Sequence, residues 1–395
     1  MCNHLKHISS GAFMGSNLNQ ILLPMNGVLK SIKSAAFYRT NLKNISIPDS
    51  VTQISGFYSD EIHSGPFTNC NSLTNIFISE NSLLTSIGVS IGQRSAVTSI
   101  FIPKYCKILS TTFISMLSLE VTIDSRNPYI RMYNKCIYSY DNSTFYWIQY
   151  TYTDFITFHP NCSIIDTYAF WDYTSNYDLV IPPSIKTINF DGLRQCKCRS
   201  IIFQNDMIQT PDYQLFFQCN SPIKMPPKLK VVKSNVFNYY NGSYIEFFSD
   251  IERIDSNSFV NCTGLQEIKF NRLKNNMIID SNSIKFCPKL KHLLFPIESS
   301  DIITFNSTCI SECESFTGVE FYLTIPRNIK NFGVNANAFD ISVRTTNSNG
   351  GSIDCGRFQI KRPFDEKCNV PIHSCYRKYI PFNIPNIHVF IIIFS

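Results

Sequence analysis

The sequence predicts a mostly β repeat solenoid. One short parallel strand per repeat stacks on its neighbours, and the chain returns through irregular or short helical segments. Three observations carry this. First, an apolar residue followed by proline closes a β-like run seven times, at Leu23-Pro24, Ile47-Pro48, Ile102-Pro103, Ile181-Pro182, Met225-Pro226, Phe295-Pro296 and Ile325-Pro326. Most spacings are near multiples of about 23 to 27 residues, the sign of a stacked array. Second, runs such as Leu42–Ile47, Leu73–Ile78, Val97–Ile102 and Leu265–Phe270 read apolar, two polar, apolar, any, apolar. The last three positions alternate as in a strand with one buried face. Proline lacks the N–H that a ladder requires, so it stops each strand. Third, a phenylalanine precedes the first apolar residue of the run by five or six positions: Phe13 before Leu18, Phe37 before Leu42, Phe67 before Leu73, Phe113 before Leu119 and Phe259 before Leu265.

Each element follows from stacking. A six-residue strand cannot bury its apolar face alone, so the same strand from successive repeats must make a shared sheet and core. One aromatic at a fixed offset reads as an internal ladder, and Ala169-Phe170 and Ala338-Phe339 mark further rungs. Six of the 15 cysteines fall into register with it: Cys70, Cys196, Cys219, Cys262, Cys287 and Cys313. A free cysteine behaves as a small buried hydrophobe, so a column of thiols at the turn into each strand is expected. The array spans residues 1–340, beginning at Leu5 with no recognisable cap. Residues 125–160 form a Tyr-rich irregular insert that accounts for the long gap after Pro103, and residues 55–66 hold a shorter one. From 341 to 395 the pattern stops; Asn347–Gly351 reads as a loop, and Ile387–Phe394 as a capping strand or an uncovered apolar end.

Composition excludes several classes. Apolar residues make up 44% of 395, which is incompatible with a disordered chain. Charged residues are only 16% and aromatics 14%, and the net charge of +6 is scattered without a basic run, so a nucleic-acid partner is not expected. The longest apolar stretch is far short of a membrane span, and the first seven residues lack the apolar core of a signal peptide.

The frame Ala-Phe-x-x-Cys-x-x-Leu-x-x-Ile-x-Ile-Pro-x-Ser-Val-x-x-Ile resembles the repeat of BspA-like leucine-rich repeat surface antigens. Thr68–Ile76 carries its centre; Ile47–Ile54 and Ile181–Ile188 carry its end. Asn127-Pro128-Tyr129 and Cys136-Ile137-Tyr138 are similar to an insert found in that family. The resemblance implies a non-enzymatic recognition protein at a cell surface, adhesin-like, engaging host proteins, matrix or cells through the solenoid face. Outward strand positions such as Ser46, Phe77, Phe101 and Lys269 would stand in rows, where many weak contacts add. The alternative is an intracellular protein-interaction scaffold, favoured by the missing export signal and by thiols that a reducing compartment would keep free. The ligand and the oligomeric state are left open.

Motifs of chemistry carry little. Gly88-Val89-Ser90-Ile91-Gly92 matches the nucleophile elbow of hydrolases, yet sits on a repeat-phased turn without the strand-to-helix context. Cys196-x-Cys198 and Cys309-x-x-x-Cys313 lack a second zinc half-site, and Cys368, His373 and Cys375 would need Cys355 as fourth ligand. His4, His7, His63, His159, His292 and His388 are isolated. Six sequons, at Asn44, Asn142, Asn161, Asn241, Asn261 and Asn306, are the number expected by chance in so Asn-rich a chain. No catalytic, cofactor-binding or metal-ligating residue is therefore assigned.

Overall fold

The computed structural model describes residues 4–58, 63–116, 118–149, 155–204, 215–272, 277–296, 302–305, 309–316, 318–322, 328–330, 334–335, 338–346 and 352–361. The chain divides into two compact units: Met1–Asn176 with Thr187–Cys196, and Tyr177–Lys186 with Lys197–Ser395. Each is a β-solenoid whose successive coils pair in parallel, and no helix occurs among the described residues. The returns are chains of tight turns rather than short helices.

In the first unit Asn44–Ser46, Asn75–Phe77, Ser99–Ile102 and Glu120–Ile123 form one parallel sheet. Its register aligns Ile45 with Ile76 and Ile100 with Val121, all buried. Each fully buried side chain of this size stabilises by about 1.5–3 kcal/mol. The prolines act twice. Pro48 and Pro103 end two of these strands, and the proline carbonyls accept from the amide three residues on, at Val51 to Pro48 (3.0 Å), Cys106 to Pro103 (3.1 Å) and, in the second unit, Ile185 to Pro182 (3.1 Å). Pro296 is an exception, since it lies inside His292–Pro296 and pairs with Tyr322. The Pro326 position lies outside the described residues.

That turn leads into a further strand per coil, carried by the Ser-Val-x-x-Ile half of the repeat. His7–Ile8, Ser31–Ile32, Gln53–Ile54 and Ser86–Ile87 make this second parallel sheet. The second unit has three ladders. The widest runs Leu179–Ile181, Ile201–Phe203, Ile223–Lys224, Tyr244–Asp250, Glu267–Arg272, His292–Pro296, Gly318–Tyr322, Ala338–Thr346 and Ser352–Lys361, with the last strand antiparallel. Within 125–160, Ile130–Tyr133, Cys136–Ser139 and Thr144–Ile148 are antiparallel, and the third rejoins the solenoid by pairing in parallel with Ile164–Ile165.

The aromatic ladder is inside. Phe37 stacks between Phe13 (5.3 Å) and Phe67 (5.5 Å), and Phe237 between Phe216 (5.0 Å) and Phe259 (4.8 Å), with planes within 10°. Left-handed backbone brackets the ladder position two residues on either side, as at Ala35 and Arg39, Tyr168 and Asp172, Asn235 and Tyr239, or Asn282 and Phe286. Such a conformation is costly for non-glycine residues. Amide bonds to the next coil hold it: Phe37 N donates to Pro66 O at 2.8 Å and Arg39 N to Thr68 O at 3.2 Å.

Candidate interaction surface

Along each strand the inward residues are occupied by core packing, so any recognition chemistry must come from the outward ones. In the first unit, register places Ser46 beside Phe77, and the pairing of Asn75 with Ser99 places Phe77 beside Phe101, which aligns in turn with Thr122. Ser46 and Thr122 are exposed, Phe77 is 55% exposed and Phe101 is half-buried. The parallel row Asn44, Asn75, Ser99, Glu120 runs beside it, and Asn75 Nδ2 donates to Asn44 Oδ1 at 2.8 Å. Lys269 belongs to the second unit. There it lies in a row with Lys224 and Glu246, and its Nζ is 3.2 Å from Glu246 Oε1, which also accepts from Asn271 Nδ2 at 2.8 Å. Glu246 is buried, so this row is closed on itself while the first unit's row is open.

One feature of the first unit has no counterpart in the reading of the sequence. Ser90 and Arg94 are both left-handed, so Gly92 between them occupies the ladder position that phenylalanine fills elsewhere. Gly92 is five residues before Val97, whereas Phe67 and Phe113 are six before Leu73 and Leu119. A cleft of about 490 Å³ beside this coil is lined by Asn71, Arg94, Ser95, Ala96, Val97, Thr98, Ser115 and Ser118.

The thiols are core. Eleven cysteines from Cys70 to Cys313 are buried. Cys70 Sγ donates to Phe37 O at 2.9 Å and Cys262 Sγ to Phe237 O at 3.0 Å, satisfying a carbonyl of the preceding coil. Thr40 and Tyr240 stand where other coils have cysteine. Cys106 and Cys162, which the phenylalanine frame leaves unassigned, occupy the valine position of the second strand's entry, their amides closing the same turn on Pro103 and His159. Burial pushes Cys106, Cys162, Cys219 and Cys309 up to about 12, which keeps them protonated and poor nucleophiles.

The other candidates resolve individually. Ser90 is fully buried, its amide donates to Thr111 O at 2.9 Å, and no helix follows it. No group of three or more His, Cys, Asp or Glu among the described residues is placed to hold a metal ion. Cys355 falls in the strand Ser352–Lys361, while Cys368, His373, Cys375 and the Asn306 sequon lie outside the described residues, as do Asn347–Gly351 and Ile387–Phe394. His7 Nδ1 lies 2.9 Å from Ser31 Oγ, and the His159 ring packs edge-on against Tyr133 at 4.8 Å. Asn44 and Asn161 are exposed, Asn142 is buried, and Asn261 adopts a left-handed φ of 58° beside Cys262.

A solenoid of short parallel strands with an internal Phe column defines a leucine-rich repeat protein. More narrowly, six copies of the BspA type leucine rich repeat region match residues 1–120, 138–262 and 209–317, and the chain belongs to that family. Among solved structures it is similar to the pneumococcal vaccine antigen PcpA, at 16% identity, covering 84% of this chain and 76% of that one with a TM-score of 0.56. A leucine rich cell surface protein from Faecalibacterium prausnitzii also matches, at 16% identity over 80% of this chain and 76% of the other, TM-score 0.43. No curated protein matches the sequence. Among the described residues, no helix is long and apolar enough to cross a membrane.

Proposed function

We propose that the protein is a non-enzymatic, adhesin-like surface antigen that binds host proteins, matrix or cells through the outward strand rows of its solenoid. The observation that carries this is the outward row Ser46, Phe77, Phe101, Thr122, in which Phe77, a large apolar side chain, is 55% exposed, on a scaffold whose inward positions are taken by packing. Membership of the BspA-type family and likeness in fold to an antigen agree with it. Residues 1–340 make the recognition array, and within the terminal segment 341–395 the antiparallel strand Ser352–Lys361 caps its end. Labelling of intact producing cells with a membrane-impermeant reagent tests the location, and binding of the purified chain to immobilised matrix proteins tests the activity. An unlabelled protein that binds neither matrix nor cells overturns the reading.

A second reading, an intracellular interaction scaffold, is favoured by the column of buried thiols, such as Cys70, Cys219 and Cys262, that a reducing compartment would preserve. Thiol titration of freshly isolated, denatured protein separates the two: extensive disulfides or occupied sequons exclude the intracellular scaffold.

A further inference from the structure

We propose that the second unit carries an oxidative staple: a disulfide between Cys287 and Cys313 that ties two successive coils together, with Cys262 of the coil before as an exchanging third thiol. The staple is a modification of the buried column and is independent of what the outward rows bind.

Register stacks the three cysteines. Phe259 pairs with Ile284, and Ile284 with Ile310, so the residue three further on is Cys262, Cys287 and Cys313 in three successive coils. Amide bonds hold these coils in step: Asn261 N donates to Lys285 O at 3.0 Å, Ile284 N to Cys309 O at 2.9 Å and Phe286 N to Ser311 O at 3.2 Å. Paired strands lie about 4.8 Å apart, inside the range of about 4.4–6.8 Å between Cα atoms that a disulfide spans. The side chains already meet, since the Cys287 thiol shares one hydrogen bond with Cys262 and another with Cys313. Cys262 and Cys313 are two coils apart, about 10 Å, too far to join each other. Cys287 is therefore a member of any bond formed within this column.

Access decides which thiol reacts first. Cys262 and Cys287 are fully buried, whereas Cys313 is 6% exposed. The oxidant is a peroxide, small enough to reach a thiol so nearly covered. The Cys313 thiolate attacks one oxygen of hydrogen peroxide, the O–O bond breaks, and the departing hydroxide takes the thiol's proton to become water, leaving a sulfenic acid. The Cys287 sulfur then attacks the Cys313 sulfur; the S–O bond breaks, and hydroxide leaves with the Cys287 proton as a second water. Two thiols have lost two electrons and two protons, and the peroxide has been reduced to two waters. Attack by Cys262 on the Cys287 sulfur then moves the bond one coil back, and the Cys262 proton passes to Cys313, which leaves as a thiol.

The surroundings set the pace. The hydrogen bond with Cys287 and burial push the Cys313 thiol well above its ordinary value, and the neighbouring Glu312 carboxylate adds to this. Lys285 Nζ, 3.5 Å from Glu312 Oε1, faces the same junction. The reactive thiolate is scarce at neutral pH, so the bond forms slowly there and faster as pH rises. Cys287 and Cys313 flank the coil that carries His292–Pro296 of the widest ladder. Coils of a solenoid are held by their neighbours alone, so a covalent bond across one junction restrains opening at that junction.

The test uses the full chain, reduced, freed of reductant and treated with hydrogen peroxide in the native state and in urea. Non-reducing peptide mapping by mass spectrometry is expected to find, in the native chain, the Cys287 peptide joined to the Cys313 peptide, with a smaller fraction joined to the Cys262 peptide. The link is expected to form at least tenfold faster at about pH 9 than at about pH 7. In the linked chain, peptides containing Ile284 and Phe286 are expected to exchange amide hydrogen at least tenfold more slowly, while those containing Ile45 and Ile76 are unchanged. Cys262→Ser is expected to keep the Cys287–Cys313 link, and Cys287→Ser to abolish linkage of Cys313; mapping of the unaltered chain decides the matter if a variant does not fold. The proposal is overturned if the native chain keeps Cys287 as a thiol while the urea-unfolded chain cross-links, or if Cys313 proceeds to a sulfinic acid with Cys287 intact. It is overturned equally if Cys262 links to Cys313 in Cys287→Ser, or if the link leaves exchange at Ile284 and Phe286 unchanged. None of these outcomes bears on matrix or cell binding, which is read separately.

Discussion

Truncating Phe237 to alanine tests the stacked interior most directly. Its ring is fully buried and lies between Phe216 at 5.0 Å and Phe259 at 4.8 Å, nearly parallel to both. Removing a buried phenylalanine costs about 3–5 kcal/mol through lost transfer energy and the cavity left behind. Two offset-stacked partners place this site at the upper end, since each aromatic pair contributes about 0.5–1.5 kcal/mol beyond area burial. The loss should also be local, because coils in a solenoid contact only their neighbours. Hydrogen exchange by mass spectrometry is the assay. Amides of the strands around Ile223, Ile245 and Ile268 are expected to lose protection by about two to three orders of magnitude, while those around Ile45 and Ile76 are unchanged. Phe237→Leu, which keeps most of the volume, is expected to recover more than half of the loss. Uniform loss across the chain, or no loss, would refute the one-dimensional stack.

Other consequences follow from the same geometry. Raised thiol values in the folded state make the buried cysteines a stabilising contribution that is complete below about pH 9 and lost as pH rises toward 12, the range set by Cys106, Cys162, Cys219 and Cys309; urea midpoints between pH 8 and 11 should fall with no change in the native thiol count. Asp178 is held down to about 2, chiefly by its hydrogen bonds from Arg199, so its contribution is present above about pH 4 and fades toward pH 2. Carboxyl NMR of Arg199→Ala should show the Asp178 titration moving up toward the ordinary range. At Gly65 a β-carbon would fall 1.8 Å from the Ser90 carbonyl oxygen, a backbone atom that cannot rotate away. Gly65→Ala is expected to cost about 3 kcal/mol or more, read by thermal melting.

Much of this fold was legible because stacking imposes the same demand at the same position in every coil. Phe37, Phe67 and Phe259 are forced to be flat and apolar by the ring stacked on them, so they recur at a readable spacing, whereas Phe237, on the same column, has no repeat-phased leucine after it and was seen only in the structure. Cys70 and Cys262 recur for a second reason: each thiol both fills space and reaches a carbonyl of the preceding coil. The second strand of the coil was less visible because only two residues pair, too few to alternate. The left-handed positions were only partly visible: Asn69, Asn235, Asn257, Asn261 and Asn282 carry the residue that best tolerates that conformation, whereas at Ala35 and Phe286 inter-coil amide bonds impose it from outside.

The same division explains why the candidate surface was only partly legible. Outward positions are free of the stacking demand, so their identity carries no period and each must be judged in its own surroundings. Ser46, Phe77, Phe101 and Lys269 all read alike in sequence, as the polar or variable slot of a strand. In the structure they part. Lys269 is neutralised by Glu246, which Asn271 also engages, and that row spends its hydrogen-bonding capacity internally. Phe77 is 55% exposed beside Ser46, while Phe101 is half-buried and packs partly against the core. A low overall charge sharpens the contrast, because the exposed ring of Phe77 then carries more of what this row can offer a partner than any ion pair does.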